Sequence, residues 1–173
     1  MDDKDAGPRP EELEPRPPTQ DDLVLLCRNL NEQGAKYLVI GGFAIIQAGF
    51  PRLTGDLDLL IATDLDNEAR VFRAMECLPD KAVRQLQPGE TSQFLVVRVA
   101  DEIVVDLMRA ACGIEYAEAS KDIVVREVDG VRIPFASPRL LWRMKKATYR
   151  SKDAEDLLFL RALFEQRGEK PPD

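Results

Sequence analysis

The sequence contains no histidine. That absence excludes catalysis by a Ser–His or Cys–His pair, acid–base chemistry by an imidazole, and any metal site with a histidine ligand. The cysteines Cys27, Cys77 and Cys112 are widely spaced in apolar or helical contexts. This is typical of reduced thiols in the cytosol and not of a disulfide framework or a zinc site. Chemistry that uses a hard cation held by carboxylates is still allowed.

Long apolar runs are also missing from the sequence. No run is long enough to span a membrane, and the acidic residues 1–5 are not followed by an apolar signal core. Apolar residues make up 45% of the 173-residue chain and charged residues 32%, which is typical of a soluble globular protein with one sizeable core. We therefore expect a cytoplasmic protein without a membrane partner.

The net charge of −7 is distributed unevenly along the chain. Residues 1–22 hold eight acids and three bases, whereas the remainder holds 23 acids and 21 bases. Residues 1–19 also contain five prolines among their charges, a composition that favours disorder. We predict a disordered tail over 1–19, a folded core over 20–136, and a helical segment over 137–173 that packs on the core.

The stretch 37–61 has the pattern of a strand, a Gly-Gly turn, a short helix, a loop and a second strand. Asp56 and Asp58 lie two residues apart in the second strand, so their side chains share one face. Adjacent carboxylates repel each other, and a divalent cation between them removes the repulsion. Gly41 and Gly42 allow a backbone to approach closely, and their N–H groups at a helix start suit a phosphate. The pattern suggests a metal and nucleoside-triphosphate site. The alternative, a tight turn and two surface acids on an edge strand, fits poorly with the apolar neighbours of these acids.

A further carboxylate, Asp106, follows an apolar run in the second strand of a hairpin that we predict over 93–100 and 102–108, turning about Asp101. A carboxylate in such a strand is costly to bury unless a partner or a metal meets it. Asp106 is therefore either a third metal ligand or an acid on an edge strand. The Asp-x-Asp pair upstream favours the metal ligand.

Helical periodicity predicts a first helix that Asp21 or Asp22 caps and that ends at Gly34, and another that Asp64 caps and that runs to about Cys77. The residues expected to point inward on the latter are Ala69, Phe72 and Met75. Asp129-Gly130 predicts a tight two-residue hairpin. Ser137-Pro138 predicts the start of a helical section over 139–166 with a break near Ser151.

The helical section begins with basic residues and no acid: Arg139, Arg143, Lys145, Lys146, Arg150 and Lys152. Such a cluster is either a solvated helix face or a source of cations for a triphosphate. Asp153 and Asp156 follow in the first turn of a helix, where acids interact favourably with the dipole. The apolar face predicted for this helix consists of Leu157, Leu158, Leu160 and Leu163. We expect Trp142 and Tyr149 to pack in the core or between helices and not to stack on bases.

These motifs resemble the polymerase-beta-like nucleotidyltransferase superfamily, whose pattern is an apolar strand, Gly-Gly or Gly-Ser, a spacer, Asp-x-Asp, and a third acid on a later strand. The closer likeness is to the minimal bacterial nucleotidyltransferases of the AbiEii toxin type. Arg52-x-Thr54-x-Asp56-Leu57-Asp58 is similar to their loop, and Lys145-x-x-x-x-Arg150-x-Lys152-Asp153-x-x-Asp156-Leu157 to their C-terminal motif. The resemblance spans residues 23–163.

The resemblance implies an α/β (α+β) nucleotidyltransferase fold, with a mixed β-sheet flanked by helices and with C-terminal helices. It also implies a set of roles. Gly41 and Gly42 would contact the triphosphate, with Arg52 and Thr54 counted among the nucleotide-binding residues. Asp56, Asp58 and Asp106 would hold two Mg²⁺ ions, and Asp106 would orient or deprotonate the acceptor hydroxyl. Lys145 and Arg150 would steady the triphosphate or the acceptor. The departure from the pattern is Gly42, where many members have serine.

The leading hypothesis is a metal-dependent nucleotidyltransferase that moves a nucleoside monophosphate from a nucleoside triphosphate such as ATP to a hydroxyl on RNA such as tRNA, on a protein or on a small molecule. The resemblance suggests a toxin–antitoxin or phage-defence setting. One alternative is a catalytically degenerate module of the same fold that binds a partner protein or a nucleotide. Another is a nucleotidyltransferase that modifies a small molecule such as an antibiotic.

Overall fold

The computed structural model describes residues 14–148 and 150–173, without the side chain of Lys152. These residues form a central sheet with helices around it. The helices are α1 Gln20–Glu32, α2 Gly41–Ala48, α3 Leu65–Met75, α4 Glu90–Gln93, α5 Tyr116–Ala119, α6 Pro138–Lys145 and α7 Ser151–Gln166. The strands are β1 Tyr37–Ile40, β2 Asp56–Ile61, β3 Val96–Ala100, β4 Val104–Met108, β5 Ala110–Ala111, β6 Ile114–Glu115, β7 Ile123–Val128 and β8 Val131–Ala136.

The main sheet has the strand order β3-β4-β2-β1-β8-β7. Strand β2 runs parallel to β4, and β1 runs parallel to β8, whereas the pairs β1–β2, β3–β4 and β7–β8 are antiparallel. The predicted mixed sheet flanked by helices is therefore confirmed. The apolar central strands explain the order, because Leu38, Val39, Leu57, Leu59 and Leu60 are fully buried and can be covered on both faces only in the middle of a sheet.

Both predicted hairpins form, but the strands of the first are shorter than the predicted 93–100 and 102–108, because Gln93 belongs to α4 and the turn spans residues 101–103. Asp101 lies in the turn between β3 and β4, where its N–H donates to the carbonyl of Ile103 (3.1 Å). Asp129 and Gly130 both have positive φ angles, of 48° and 79°, in the turn between β7 and β8. That geometry is the one that a two-residue turn requires to match the twist of its strands.

Two details of the helices differ from expectation. Thr19, and not Asp21 or Asp22, caps α1, and Asp22 completes a capping box from the third helical position. On α3, Met75 is buried as predicted, but Ala69 and Phe72 are only partly buried, and Val71 and Ala74 share the inward face with Met75.

The inward face of α3 also includes two polar residues, Asn67 and Glu68, which apolar periodicity does not anticipate. Asn67 exchanges hydrogen bonds with the backbone N–H and carbonyl of Lys36 (2.7 and 3.0 Å). Glu68 accepts from the N–H groups of Gly89 (2.7 Å) and Thr91 (3.0 Å). Because their polar atoms are paired, both side chains can be buried at little cost.

The C-terminal helices pack on the core. Leu160 and Phe164 of α7 are fully buried, and Phe164 meets Trp142 of α6 edge-to-face at 6.0 Å between ring centroids. The expected packing of Trp142 is confirmed, while Tyr149 lies outside the described residues. The predicted break near Ser151 is the gap between α6 and α7. Leu158 is 69% exposed, so it does not belong to the apolar face that the sequence suggested.

Residues 1–13 of the predicted tail lie outside the described part of the chain. Within 14–19, the N–H of Arg16 donates to the carbonyl of Glu102 (2.9 Å), and its guanidinium pairs with Asp22 at 2.7 Å. The division into tail, core and helical segment stays a prediction. Across the described residues, none of the helices is both long enough and apolar enough to pass through a membrane.

Candidate functional site

Three carboxylates converge on one face of the sheet. Strands β2 and β4 are parallel neighbours in a register that puts Asp58 directly beside Asp106. Asp56 precedes Asp58 by two residues and therefore points the same way. One oxygen from each of the three side chains lies within 4.8 Å of the other two. We call these residues the acidic triad.

The Gly-Gly turn lies against the acidic triad. Gly41 has a φ angle of +67°, a left-handed conformation that glycine adopts readily. A β-carbon at this position would lie 2.1 Å from Oδ2 of Asp58, so only glycine fits beside that carboxylate. Helix α2 begins here, and its N-cap residue, Ile40, has no capping side chain. The first amides of α2 therefore keep their capacity to bind an anion.

The loop 52–55 closes over the second glycine of the turn. A β-carbon on Gly42 would lie 2.6 Å from Oγ1 and 2.7 Å from Cβ of Thr54. The Thr54 hydroxyl donates to the carbonyl of Asp56 (3.0 Å), which fixes the loop relative to the start of β2. Thr54 thus fills the space that a serine side chain at position 42 would need. This steric conflict with Thr54 explains why position 42 is glycine here and not the serine of the Gly-Ser pattern.

A cavity of about 580 Å³ opens over the triad and the turn. It is lined by every residue that the sequence proposed for the site, together with Arg98, Asp153 and several apolar side chains. The structure thus brings all of the proposed residues to one place, although their roles stay predictions.

Arg98, which the sequence reasoning did not single out, pairs with the triad. Its Nε donates to Oδ1 of Asp106 (2.9 Å) and its Nη2 to Oδ2 of Asp106 (2.9 Å) and to Oδ2 of Asp56 (3.2 Å). These contacts, with that to Asp106 as the main one, raise the pKa of the guanidinium further above its usual range. The predicted hairpin, which turns about Asp101, would set position 98 opposite position 104. The turn instead spans residues 101–103, and this register pairs Arg98 with Asp106.

A second charged group, which we call the buried ion cluster, contributes Arg52, Lys145, Arg150 and Asp153 to the lining of the same cavity. Its members are Lys145, Asp153, Asp156, Arg52 and Arg150. Lys145 Nζ lies 2.8 Å from Asp153 and 3.0 Å from Asp156. Arg52 lies 3.0 Å from Asp156, and Arg150 lies 2.8 Å from Asp153. Both carboxylates are fully buried, so these contacts replace the water that they lose.

Asp153 accepts three side-chain hydrogen bonds, from Lys145, Thr148 and Arg150. Burial raises its pKa, but hydrogen bonds from Lys145, Thr148 and Arg150 outweigh burial and bring the pKa down to about 2. Asp153 is therefore ionised at neutral pH. The expectation that both acids lie in the first turn of a helix holds for Asp153, whereas Asp156 lies beyond that turn. The helix dipole is also not their main partner, because Lys145 of α6 contacts both acids and Arg52 contacts Asp156.

The cations of the cluster differ in how much of each remains accessible. The Lys145 side chain is 9% exposed and is shared between two carboxylates, whereas the Arg150 side chain is 64% exposed. Arg150 can therefore reach a ligand in the cavity with little rearrangement. Lys145 is committed to holding α6 and α7 together.

The acidic triad suits a hard divalent cation. Its ligand atoms are all carboxylate oxygens, which Mg²⁺ and Ca²⁺ prefer. Their mutual separations allow one ion to touch oxygens from more than one side chain. Within the described residues, the triad is the group of acids with this geometry.

Neither a protein-family model nor a curated protein matches the sequence. The chain is similar in structure to a candidate nucleotidyltransferase from Thermotoga maritima, with a TM-score of 0.52 and 18% identity over 92% of this chain and 100% of that one. It is also similar to an antigenic nucleotidyltransferase-like protein from Paracoccidioides brasiliensis (TM-score 0.48, 19% identity, 85% and 78% of the two chains). A further match is the antibiotic-resistance factor ANT(2'')-Ia (TM-score 0.43, 14% identity, 87% and 95%). The first of these likenesses supports the predicted nucleotidyltransferase fold, and at this identity it concerns the fold alone.

Proposed function

We propose that this protein is a metal-dependent nucleotidyltransferase that moves a nucleoside monophosphate from a nucleoside triphosphate to a hydroxyl acceptor. The observation that carries the proposal is the meeting of three carboxylates, with oxygens within 4.8 Å of one another, beside a glycine turn at a helix start. The resemblance of the motifs to nucleotidyltransferases and the shared fold support the same conclusion.

Asp56, Asp58 and Asp106 are the residues that would hold Mg²⁺ in this proposal. Bound Mg²⁺ supplies positive charge to the attacking and leaving oxygens of phosphoryl transfer. The contribution of the chain is to fix the acids before substrate arrives. The three side chains sit at adjacent positions of two paired strands, so their spacing is set by the sheet. By the motif resemblance, Asp106 would also orient or deprotonate the acceptor hydroxyl.

The triphosphate would lie along the glycine turn. The first amides of α2 donate to its oxygens, and the positive end of the helix favours its charge. Arg150, exposed at the cavity wall, provides a cation for the same group. Lys145 and Arg52 act more as positioning residues in this arrangement, because their charges are already paired with Asp153 and Asp156.

The acceptor is proposed only as a class, namely a hydroxyl on RNA such as tRNA, on a protein or on a small molecule. The toxin–antitoxin or phage-defence setting and the AbiEii-type assignment rest on the motif resemblance and stay predictions. The described cavity is open and polar on the triad side, which is compatible with each of these acceptors.

The test is incubation of the purified protein with Mg²⁺, each labelled nucleoside triphosphate in turn, and total cell extract. We expect label to enter RNA, protein or a small molecule with one or more of the four triphosphates, and no label with Asp56→Asn or Asp106→Asn. Far-UV circular dichroism of the variants checks that they fold. Nucleotide binding without any transfer would favour the degenerate binding module, and transfer by Asp56→Asn would remove the metal assignment.

A further inference from the structure

Arg98 occupies the position between two carboxylates of the acidic triad. A single nitrogen, Nη2, lies 2.9 Å from Asp106 and 3.2 Å from Asp56, while Nε holds the second oxygen of Asp106 at 2.9 Å. A cation that bridges Asp56 and Asp106 would need the same space and the same oxygens. A Mg²⁺ ion sits about 2.0–2.1 Å from its ligand oxygens, so it and the guanidinium nitrogen cannot both be there.

We propose that Arg98 is a counter-ion of Asp106 and Asp56 in the metal-free acidic triad and that a divalent cation must displace its guanidinium from these two acids in order to bind. This inference rests on the proposed function, because it assumes that the triad takes a metal. It assigns to Arg98 a role in holding the acids ready before the metal arrives.

The placement of Arg98 on the sheet makes this exchange feasible. Strand β3 is the edge of the main sheet, and the Arg98 side chain is 61% exposed. Its neighbours Val97 and Val99 point to the other face and are buried, so they keep the strand in place. The guanidinium can therefore turn into solvent without any change in the core.

The exchange also answers an electrostatic problem. Three carboxylates this close repel one another when no cation is bound, and the repulsion disfavours the geometry that a metal needs. Arg98 supplies positive charge and two fixed hydrogen bonds to Asp106, which keep that side chain in its rotamer. The consequence is competition, since any metal must bind more strongly than the arginine does.

The experiment compares Mn²⁺ binding by the whole protein with that of Arg98→Met, measured by calorimetry or by the electron paramagnetic resonance of free Mn²⁺. We expect Arg98→Met to bind Mn²⁺ roughly tenfold more tightly, the effect of losing one charge-assisted competitor. The matched control is Arg84→Met. Arg84 has a similar exposure, 63%, and pairs with Glu76 at 3.0 Å, but it is not among the residues that line the cavity. We expect it to leave Mn²⁺ affinity unchanged.

A second measurement observes the displacement itself. In ¹⁵N NMR spectra, the Nε–H signal of Arg98, identified by its loss in Arg98→Met, should move and exchange faster with water when diamagnetic Mg²⁺ saturates the site. Equal or weaker Mn²⁺ binding by Arg98→Met, or an unchanged Nε–H signal, would overturn the counter-ion role while leaving the metal site intact. Failure of both proteins to bind Mn²⁺ would overturn the metal site and the role of Arg98 together.

Discussion

A β-carbon on Gly41 would lie 2.1 Å from Oδ2 of Asp58, so the glycine turn and the second acid of the triad are in direct contact. The proposed phosphate-binding turn and the proposed metal ligands are therefore parts of one rigid arrangement. Strand β1 leads into the turn and pairs with β2, which carries the acid. A change in the turn should accordingly be felt at the metal site.

The first prediction concerns Gly41→Ala. The added methyl group must push the Asp58 carboxylate away, and an alanine at a φ of +67° costs about 1–2 kcal/mol of stability. We expect Mn²⁺ binding and nucleotidyl transfer to be lost, with a loss of stability of that size in urea unfolding. Gly113→Ala is the matched control, because Gly113 also has a positive φ angle, +76°, but a β-carbon there meets no atom within 4 Å and the residue does not line the cavity. Unchanged Mn²⁺ affinity in Gly41→Ala would show that the contact does not matter.

The second prediction concerns Gly42→Ser, which restores the serine of the superfamily pattern. The new side chain would overlap Thr54, whose Oγ1 and Cβ lie 2.6 and 2.7 Å from the position of the added β-carbon. We therefore expect Gly42→Ser to lower nucleotide affinity and transfer and not to raise them. Binding of a fluorescent nucleotide analogue and transfer assays measure these effects.

The double variant Gly42→Ser with Thr54→Gly separates the clash from other effects of serine. Thr54→Gly removes both atoms that the new side chain would meet, so the double variant should recover nucleotide affinity relative to Gly42→Ser alone. Thr54→Gly by itself shows the cost of losing the hydrogen bond to the carbonyl of Asp56. A single variant Gly42→Ser as active as the natural protein would contradict the steric explanation.

The sequence was sufficient for the parts of the site that local patterns determine. Two acids that are two residues apart in a strand share one face of the sheet, wherever that strand lies. A glycine turn just before a helix can likewise be recognised from the local sequence alone. The hairpin about Asp101 followed from two alternating runs. The parallel pairing that sets Asp58 beside Asp106 did not follow, because it depends on a crossover between distant segments.

The buried ion cluster shows where local patterns mislead. Asp153 stands in the first turn of α7, where acids interact favourably with the helix dipole, and Asp156 lies beyond that turn. Their burial depends on Lys145 and on Arg52, and Arg52 is 104 residues away from Asp156 in the chain. Charge complementarity across such distances cannot be read from periodicity. The wrong assignment of Leu158 to the apolar face has the same origin. The buried side of α7 near that residue carries Asp153 and Asp156, and Leu158 is exposed.

The third prediction separates Lys145 from Arg150. Lys145→Met leaves two buried carboxylates without a shared cation, and breaking a buried pair typically costs about 3–5 kcal/mol. Arg150→Met removes a side chain that is 64% exposed, so the expected loss of stability is below about 1 kcal/mol. Urea unfolding measures both.

We expect the two variants to rank in the opposite order for nucleotide affinity, with the larger loss in Arg150→Met. Arg150→Met should weaken binding of a fluorescent triphosphate analogue under conditions in which the variant is fully folded, because Arg150 is the accessible cation of the cluster. A loss of stability for Arg150→Met as large as that for Lys145→Met would show that Arg150 is structural. Unchanged affinity in Arg150→Met would remove it from the nucleotide site.

The fourth prediction follows from the lowered pKa of Asp153. Its pKa falls from 3.8 to about 2 in the folded protein, so its ionised form stabilises the fold above pH 4. That contribution is lost as the pH falls through 2, since the protonated side chain no longer attracts Lys145 and Arg150. Asp153→Asn should therefore be less stable than the natural protein at neutral pH. The free energies of unfolding in urea of the natural protein and of Asp153→Asn should converge as the pH falls from 4 to 2.

The response to added salt should distinguish the buried Asp153 from Asp22, an acid whose pKa is also lowered but whose partner is exposed. The pKa of Asp22 is also lowered to about 2, mainly by its hydrogen bond with Arg16, but the Arg16 side chain is 42% exposed. Added salt should shrink the stability difference for Asp22→Asn, because exposed pairs are screened, and should leave that for Asp153→Asn nearly unchanged. Two outcomes would contradict the role of Asp153 in holding α7 against α6 through the buried ion cluster. One is a stability difference between the natural protein and Asp153→Asn that stays constant down to pH 2. The other is a stability difference that disappears in salt at neutral pH.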